Sequence, residues 1–480
     1  MTRLQTYNGK VVNKAMIMSY TKVLSGGYIV EGISNVNINE AKSHVSKALK
    51  KSIGLMDAIF MVVGIVIGSG IFFKTSSVFI NAWNPFMGIM AWVIGGVITM
   101  ASALTISEIA TAIPETGGIF VYLKELYSER LAFLFGWVQS VIYVPSVTAA
   151  LSIVFVTQAT FFVPLSVANQ RILAMGLILF LITINIISTK LGSKVQMFAT
   201  VGKLIPIFII IVFGLMSGSA GGVRAVMTVA KSSTGYAGFG AAILATLWAY
   251  DGWVGVTNIA GELKHPGKDL PKAIVVGLSL IIAIYILINT AIINVIPMDI
   301  VVQSQTPASD VAISLFGPSG GALIAAGIMI SIFGALNGYL MTGVRIPYAM
   351  GCDGLFPYAN KISKLSDNGG TPVNALIFEG LLACIYVLSG SFDLLTNLAM
   401  FMVWFFFIIT VGGIFILRTK LKDMPRSYRV PLYPIVPLIG IAGGVYIIVS
   451  TVISDTTTAI FGLLITLTGL PVYSKLKKKA

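Results

Sequence analysis

Charge is what this sequence has least of. Only 10% of its 480 residues are Asp, Glu, Lys or Arg, where a soluble domain carries roughly a quarter. A chain of this length with so few charges cannot cover a water-facing surface. Histidine and cysteine are scarcer still, with two of each: His44, His265, Cys352 and Cys384. Two isolated histidines exclude a multi-histidine metal site. The cysteines lack CxxC or metal-ligand spacing, so neither a disulfide framework nor a zinc site is implied. No Walker A loop, HExxH, GxSxG or dinucleotide fingerprint stands in a usable context. Their absence argues against an ATP-driven pump and a membrane enzyme, and no cofactor is expected.

What fills the chain instead is apolar. The hydrophobic fraction is 56% and the mean hydropathy +0.92, so bilayer is the solvent that suits it. Lys and Arg number 32 against 18 Asp and Glu, a net charge of +14. These bases lie in short segments between apolar runs and form no soluble patch. They read as a topology signal and not as a nucleic-acid surface.

Twelve apolar stretches can be marked, at approximately 55–74, 85–112, 131–162, 171–188, 196–216, 237–260, 273–295, 320–343, 373–390, 392–417, 433–453 and 456–473. The first is long, starts near Leu55 and is followed by many others, so it reads as a span and not as a cleaved signal sequence. An even count puts both termini on one side. With the N-terminus in the cytoplasm, the inner segments hold Lys124, Arg130, Lys190, Lys194, Lys264, Lys268, Lys272, Arg345, Lys361, Lys364 and the bases from Arg418 to Arg429. The outer segments hold only Lys74, Arg171, Arg224 and Lys231. This positive-inside bias supports the count and orientation together. Residues 1–52 are a polar cytoplasmic extension. Lys42–Lys51 reads as a solvated tail in preference to a basic helix on anionic lipid. Residues 474–480 form a basic cytoplasmic tail.

Two stretches carry helix breakers where a span should be continuous. The first contains Gly68-Ser69-Gly70, and glycine costs a helix roughly 1 kcal/mol. Irregular backbone inside a membrane is tolerated where it lines a cavity or is buried in protein. N–H groups freed there would face an anion such as a carboxylate. A close helix crossing would use the same small residues. The sixth stretch favours the first alternative, because it places Asp251 and Gly252 mid-span in Trp248-Ala249-Tyr250-Asp251-Gly252-Trp253. Intramembrane charge is costly and points to function. Interrupted helices five spans apart are the mark of an inverted five-helix repeat. Residues 55–216 and 237–417 would form the two repeats, with the helices of 433–473 outside them.

Other polar positions are less decisive. Lys203 lies roughly 10 Å into the fifth stretch at 1.5 Å per residue. It either snorkels to the interface or holds a fixed ammonium beside the first break. Glu108 sits at the inner end of the second stretch as a gate or a simple cap. Glu379 in the ninth carries either a proton or an interhelical contact. Asn289 and Asn337 read as interhelical hydrogen bonders.

Together, Gly64–Phe72, Ile113–Gly118, Ala249–Trp253, Gly261–Pro266, Ser331–Gly338 and Arg429–Pro434 resemble the signatures of the L-amino-acid transporter group. That group is part of the amino acid–polyamine–organocation superfamily. The likeness covers about residues 50–475. It is strongest to the bacterial serine/threonine exchangers of the group, across Phe239–Trp253 and Gly202–Leu215. The resemblance implies an all-α membrane protein of twelve transmembrane helices with the LeuT-type 5+5 inverted repeat. It implies sodium-independent, obligatory exchange of small neutral L-amino acids across the cytoplasmic membrane.

By position, the resemblance implies that the substrate carboxylate meets the N–H groups of Ser69 and Gly70. The amine would meet carbonyls near Val66, Ile67, Trp248 and Asp251. Trp248 would close the outer side and Trp404 would form a pocket wall. Lys203 would take the place of a sodium ion, and Tyr250, Gly252 and Glu108 would serve coupling or gating. No cysteine follows the third span, where animal relatives bond a glycoprotein, so no such partner is expected. Proton-coupled symport through Lys203 or Glu379 is the competing reading, with a non-transporting amino-acid sensor behind it. Side-chain specificity would be set by pocket volume among the first, third, sixth, eighth and tenth spans.

Overall fold

A computed structural model describes residues 54–82, 84–113, 117–187, 202–217, 235–258, 263–366 and 371–479, and short segments near the N-terminus. The chain divides into Met1–Lys50 and Lys51–Ala480. The first unit contains an antiparallel pair of strands, β1 (Leu4–Tyr7) and β2 (Lys10–Asn13), with Leu4 opposite Asn13. This hairpin was not anticipated in a polar tail; Lys42–Lys51 lies outside the described residues.

The regular elements of the second unit are all helices among its described residues. In chain order it comprises α1 (Leu55–Val66), α2 (Gly70–Asn81), α3 (Pro85–Ala112), α4 (Ile119–Leu126), α5 (Glu129–Ala159) and α6 (Val167–Ile187). There follow α7 (Leu204–Ser217), α8 (Gly235–Tyr250), α9 (Gly255–Asn258), α10 (Pro266–Val295), α11 (Met298–Gln303) and α12 (Pro307–Gly343). The last six are α13 (Arg345–Cys352), α14 (Ala359–Ile362), α15 (Val373–Ser389), α16 (Phe392–Thr419), α17 (Ile435–Ser454) and α18 (Thr456–Lys479).

Local chemistry sets several of these ends. The Asn84 side chain accepts from Met87 N at 2.8 Å and Pro85 occupies the first helical position of α3, both favourable at an N-terminus. Ser391 caps α16 in the same way through Leu394 N. Within α12, Gly317 takes φ +72° ahead of Pro318, because a residue before proline avoids the helical region. The apolar stretch expected from about residue 320 begins just past this kink. Lys74, expected in an outer segment, lies inside α2 and is buried.

Among the described residues, eight helices are long and apolar enough to cross a membrane, and α1 with α2 add a ninth if the bent pair is one span. Three shorter apolar helices, α7, α8 and α15, fall below that length. Packing sorts the helices into two groups. In one, α10 lies against α1 and α3, and α8 against α2 and α3. In the other, α5 contacts α12, α15 and α6. The outer helices α6, α17 and α18 present apolar side chains such as Phe180, Ile453 and Phe461. Such an exterior suits lipid and would be a liability in water.

Candidate functional site

The α1–α2 pair bends by 50° at Ile67-Gly68-Ser69. A helix end leaves its last carbonyls without intrahelical donors. Here Lys203, just before α7 and almost completely buried, supplies them. Its ammonium donates to Ile67 O at 2.6 Å and to Gly64 O. On the far side of the break, Phe72 N and Phe73 N donate to Ser69 O at 3.0 and 3.1 Å and start α2. The Ser69 hydroxyl is buried without a hydrogen-bond partner among the described residues. Gly70 is required by packing: a Cβ there would lie 2.7 Å from Ala249 Cβ and 3.0 Å from Ala249 N.

Ala249 belongs to the second break. Helix α8 ends at Tyr250, residues 251–254 form turns, and α9 resumes at Gly255. Gly252 has φ +101° and a Cβ on it would approach Ile65 Cγ2 to 2.6 Å. Both the left-handed backbone and the close approach require glycine. Asp251 is buried and accepts hydrogen bonds from Tyr339 of α12, at 2.9 Å, and from Tyr143 of α5. Tyr143 closes a π-helical turn, Gln139–Tyr143, inside α5; such turns re-aim side chains and occur often at functional sites. The intramembrane carboxylate is therefore held by two hydroxyls from the other helix group. The Tyr250 hydroxyl points away, donating to Trp92 O at 2.9 Å.

A cavity adjoins the second break and reaches Ile65 of α1. Asp251, Gly252, Ile65, Tyr143, Tyr339 and Phe407 are among its lining residues. From α16 the wall is Val403 and Phe407; Trp404 packs edge-on to Phe407 with centroids 5.6 Å apart and is not among the lining residues. Trp248 also stands outside the cavity, edge-on to Phe392 at 5.9 Å. Phe392 in turn lies under the Lys74 ammonium, 4.8 Å from its ring centre, and Lys74 pairs with Asp393 at 2.6 Å. This cluster joins α2, α8 and α16, with Lys74 four residues into α2.

Glu108 ties the end of α3 to the end of α16 and the segment after it. Fully buried near the end of α3, it receives Arg418 Nε at 3.0 Å, Arg418 Nη2 at 2.7 Å and Val430 N at 2.7 Å. Arg426 Nε stands 3.6 Å away. Arg418 also lies over the Tyr433 ring at 3.9 Å. Burial, and secondarily the Glu108 charge, push the Tyr428 hydroxyl up to about 12. Glu379 is buried in α15 with neither carboxylate oxygen bonded among the described residues. Asn289 accepts from Thr75 and Asn337 from Asn185, both at 2.9 Å and between helices. Among the described residues, no group of three or more His, Cys, Asp or Glu is placed to hold a metal.

The residues proposed from sequence thus fall into three places. Val66, Ile67, Ser69, Gly70 and Lys203 gather at the first break. Trp248, Tyr250, Asp251 and Gly252 stand at or beside the second. Trp404 and Glu108 lie away from both. Sequence reading missed Tyr143, Tyr285, Tyr339, Phe392 and Asp393. Tyrosines in apolar helices give no period or motif, and only the fold brings them to the breaks. Lys74 gave a signal, a charge four residues after a helix start, but it was assigned to a loop.

A buried cation at a broken helix, a second break facing it, an adjoining cavity and an apolar exterior define a multi-pass membrane transporter. The amino acid permease family model matches residues 53–470, and the chain belongs to that family. It is 42% identical over 432 residues to the serine/threonine exchanger SteT of Bacillus subtilis (strain 168), covering 90% of this chain and 98% of that one. It is 32% identical over 434 residues to the human b(0,+)-type amino acid transporter 1, covering 89% and 88%. The human large neutral amino acids transporter small subunit 2 is 29% identical over 438 residues, covering 89% and 80%.

Proposed function

We propose that this protein exchanges small neutral L-amino acids, serine and threonine among them, across the cytoplasmic membrane without sodium. The observation that carries the reading is the Lys203 ammonium on the carbonyls of Gly64 and Ile67. Those acceptors would otherwise suit a monovalent cation. Two unit charges about 4 Å apart repel by roughly 4 kcal/mol at an effective dielectric near 20, so a site built around a charged lysine gains little from added sodium. The likeness to a relative named a serine/threonine exchanger supports the substrate class.

In this reading the eight long helices, the bent pair and the three short apolar helices are twelve spans. Spans one to five and six to ten form inverted repeats, with both termini in the cytoplasm, the extension 1–52 ahead of the transporter body 53–475, and the basic tail behind it. The substrate carboxylate takes the N–H groups of Ser69 and Gly70, and the ammonium takes carbonyls of the two breaks. The cavity then opens inward, while Lys74, Asp393, Phe392 and Trp248 form the closed outer side. No disulfide-linked subunit is required. Proton-coupled symport is the second reading, favoured by Glu379, a buried carboxylate with no bonded partner among the described residues. Uptake of labelled serine into loaded and empty proteoliposomes separates the two: exchange needs internal substrate, and symport needs a proton gradient.

A further inference from the structure

Asp251 is the one charged side chain among the described residues that line the cavity, and no Lys, Arg or His stands beside it in that lining. Its partners are hydroxyls instead. Tyr143 and Tyr339 both donate to the same carboxylate oxygen, Oδ2, Tyr339 at 2.9 Å. A tyrosine hydroxyl carries one proton, so each of these protons is committed to Asp251. Hydrogen bonds to an ionised acceptor are roughly twice as strong as neutral ones. The pair therefore meets the buried charge without a cation.

Local packing builds this clamp. A Cβ on Gly343 would lie 2.4 Å from Val144 Cγ1, so α12 can approach α5 beside the two tyrosines only because residue 343 lacks a side chain. The tyrosine rings meet edge to face, with centroids 6.4 Å apart and planes at 62°, and their hydroxyls converge on one oxygen. Gly252, whose Cβ would stand 3.4 Å from the Tyr339 oxygen, leaves room for the second hydroxyl. Tyr143 and Asp251 are both buried, which strengthens the bond between them.

We propose that Tyr143 and Tyr339 are specificity-determining residues. By occupying Asp251 they deny its carboxylate to substrates with a second ammonium group, and so hold the site to neutral side chains. The assignment rests on the amino-acid exchange reading, in which the substrate side chain enters this cavity. A cationic side chain reaching Asp251 would have to push both hydroxyls off the carboxylate, toward apolar neighbours such as Val403 and Phe407. That leaves two buried donors unpaired, which is costly. Without the hydroxyls, the same carboxylate is a buried charge lacking a partner, the state that gains most from a cation. Neutral selection is thus a property of the tyrosines and not of the position of the carboxylate.

The test is displacement of labelled serine from purified protein by homoserine and by 2,4-diaminobutyrate, whose side chains differ only in ending on a hydroxyl or an ammonium group. The wild type should bind homoserine at least about tenfold more tightly. In the double variant Tyr143→Phe with Tyr339→Phe that preference should fall by at least about tenfold, the worth of roughly one hydrogen bond to a charged group. Adding Asp251→Asn to the double variant should restore the preference, which separates the carboxylate from the space that the lost hydroxyls leave. A wild type that binds both ligands equally overturns the assignment, as does a double variant that keeps the wild-type preference. A preference that falls equally with and without Asp251→Asn overturns it too, because cavity size then explains the change. If the double variant does not fold, Tyr339→Phe alone decides: the ratio should shift in the same direction by at least about threefold, and an unchanged ratio overturns the assignment. A wild type that binds neither serine nor homoserine overturns the proposed function, a result distinct from every variant outcome.

Discussion

Replacing Lys203 by methionine removes the donor and keeps most of the buried stem, so it isolates the hydrogen bonds from the packing. The ammonium donates to two carbonyls at the end of α1, both inside the protein. A buried acceptor left without a donor costs about 1–3 kcal/mol. Two such acceptors, partly relieved by relaxation, place the cost to the native break at no less than about 2 kcal/mol. If only that break binds substrate, the competent fraction falls by about thirtyfold, since 1.36 kcal/mol is a factor of ten. The assay is the initial rate of serine exchange in proteoliposomes at matched protein density, with size-exclusion profiles to verify folding. Lys203→Met and Lys203→Ala should both insert normally and exchange at least about thirtyfold more slowly. A folded Lys203→Met protein exchanging at the wild-type rate would refute the argument and leave the lysine as a packing residue.

Gly70→Val should abolish serine binding, because its first carbon already conflicts with Ala249 Cβ at 2.7 Å and such overpacking costs about 1–3 kcal/mol; retained binding, measured by displacement of labelled serine, would mean that α2 and α8 can separate without harm to the site. Glu108→Gln keeps an acceptor for Val430 N but breaks the buried pairing with Arg418, so it should lower stability by about 3 kcal/mol. Thermal unfolding in detergent should report that loss while serine affinity stays the same. Asp393→Ala leaves the Lys74 ammonium with the Phe392 ring alone. A cysteine at Ser77, which bonds Asp393 at 3.2 Å, should then react faster with an impermeant thiol reagent in a background lacking Cys352 and Cys384.

Much of this arrangement is legible in the sequence because a membrane makes irregular backbone and buried charge expensive. Gly68-Ser69-Gly70 and Asp251-Gly252 each mark a break for that reason, and α1–α2 and α8–α9 part at those residues. The starts of α3 and α16 follow their capping residues, Asn84 and Ser391. What the sequence withheld depends on side chains that meet only across helices. Gly70 marks the break, but the close approach of Ala249 that also demands a glycine there comes from another helix. Glu108 reads as a terminal carboxylate, yet its partner Arg418 lies 310 positions away. Tyr143 and Tyr339 carry no pattern of their own and meet only at Asp251. Lys74 looks like a loop base until α2 is seen to continue past it. Hydropathy finds apolar length, but it does not register a lysine whose charge is met by the next helix but several.

The central claim is exchange driven by substrate on both sides and indifferent to sodium. Its most direct test is uptake of labelled serine by purified protein in proteoliposomes. Internal unlabelled serine should stimulate uptake strongly, and replacing sodium with choline should leave the rate unchanged. Robust uptake into empty vesicles that follows an imposed proton or sodium gradient would contradict the account.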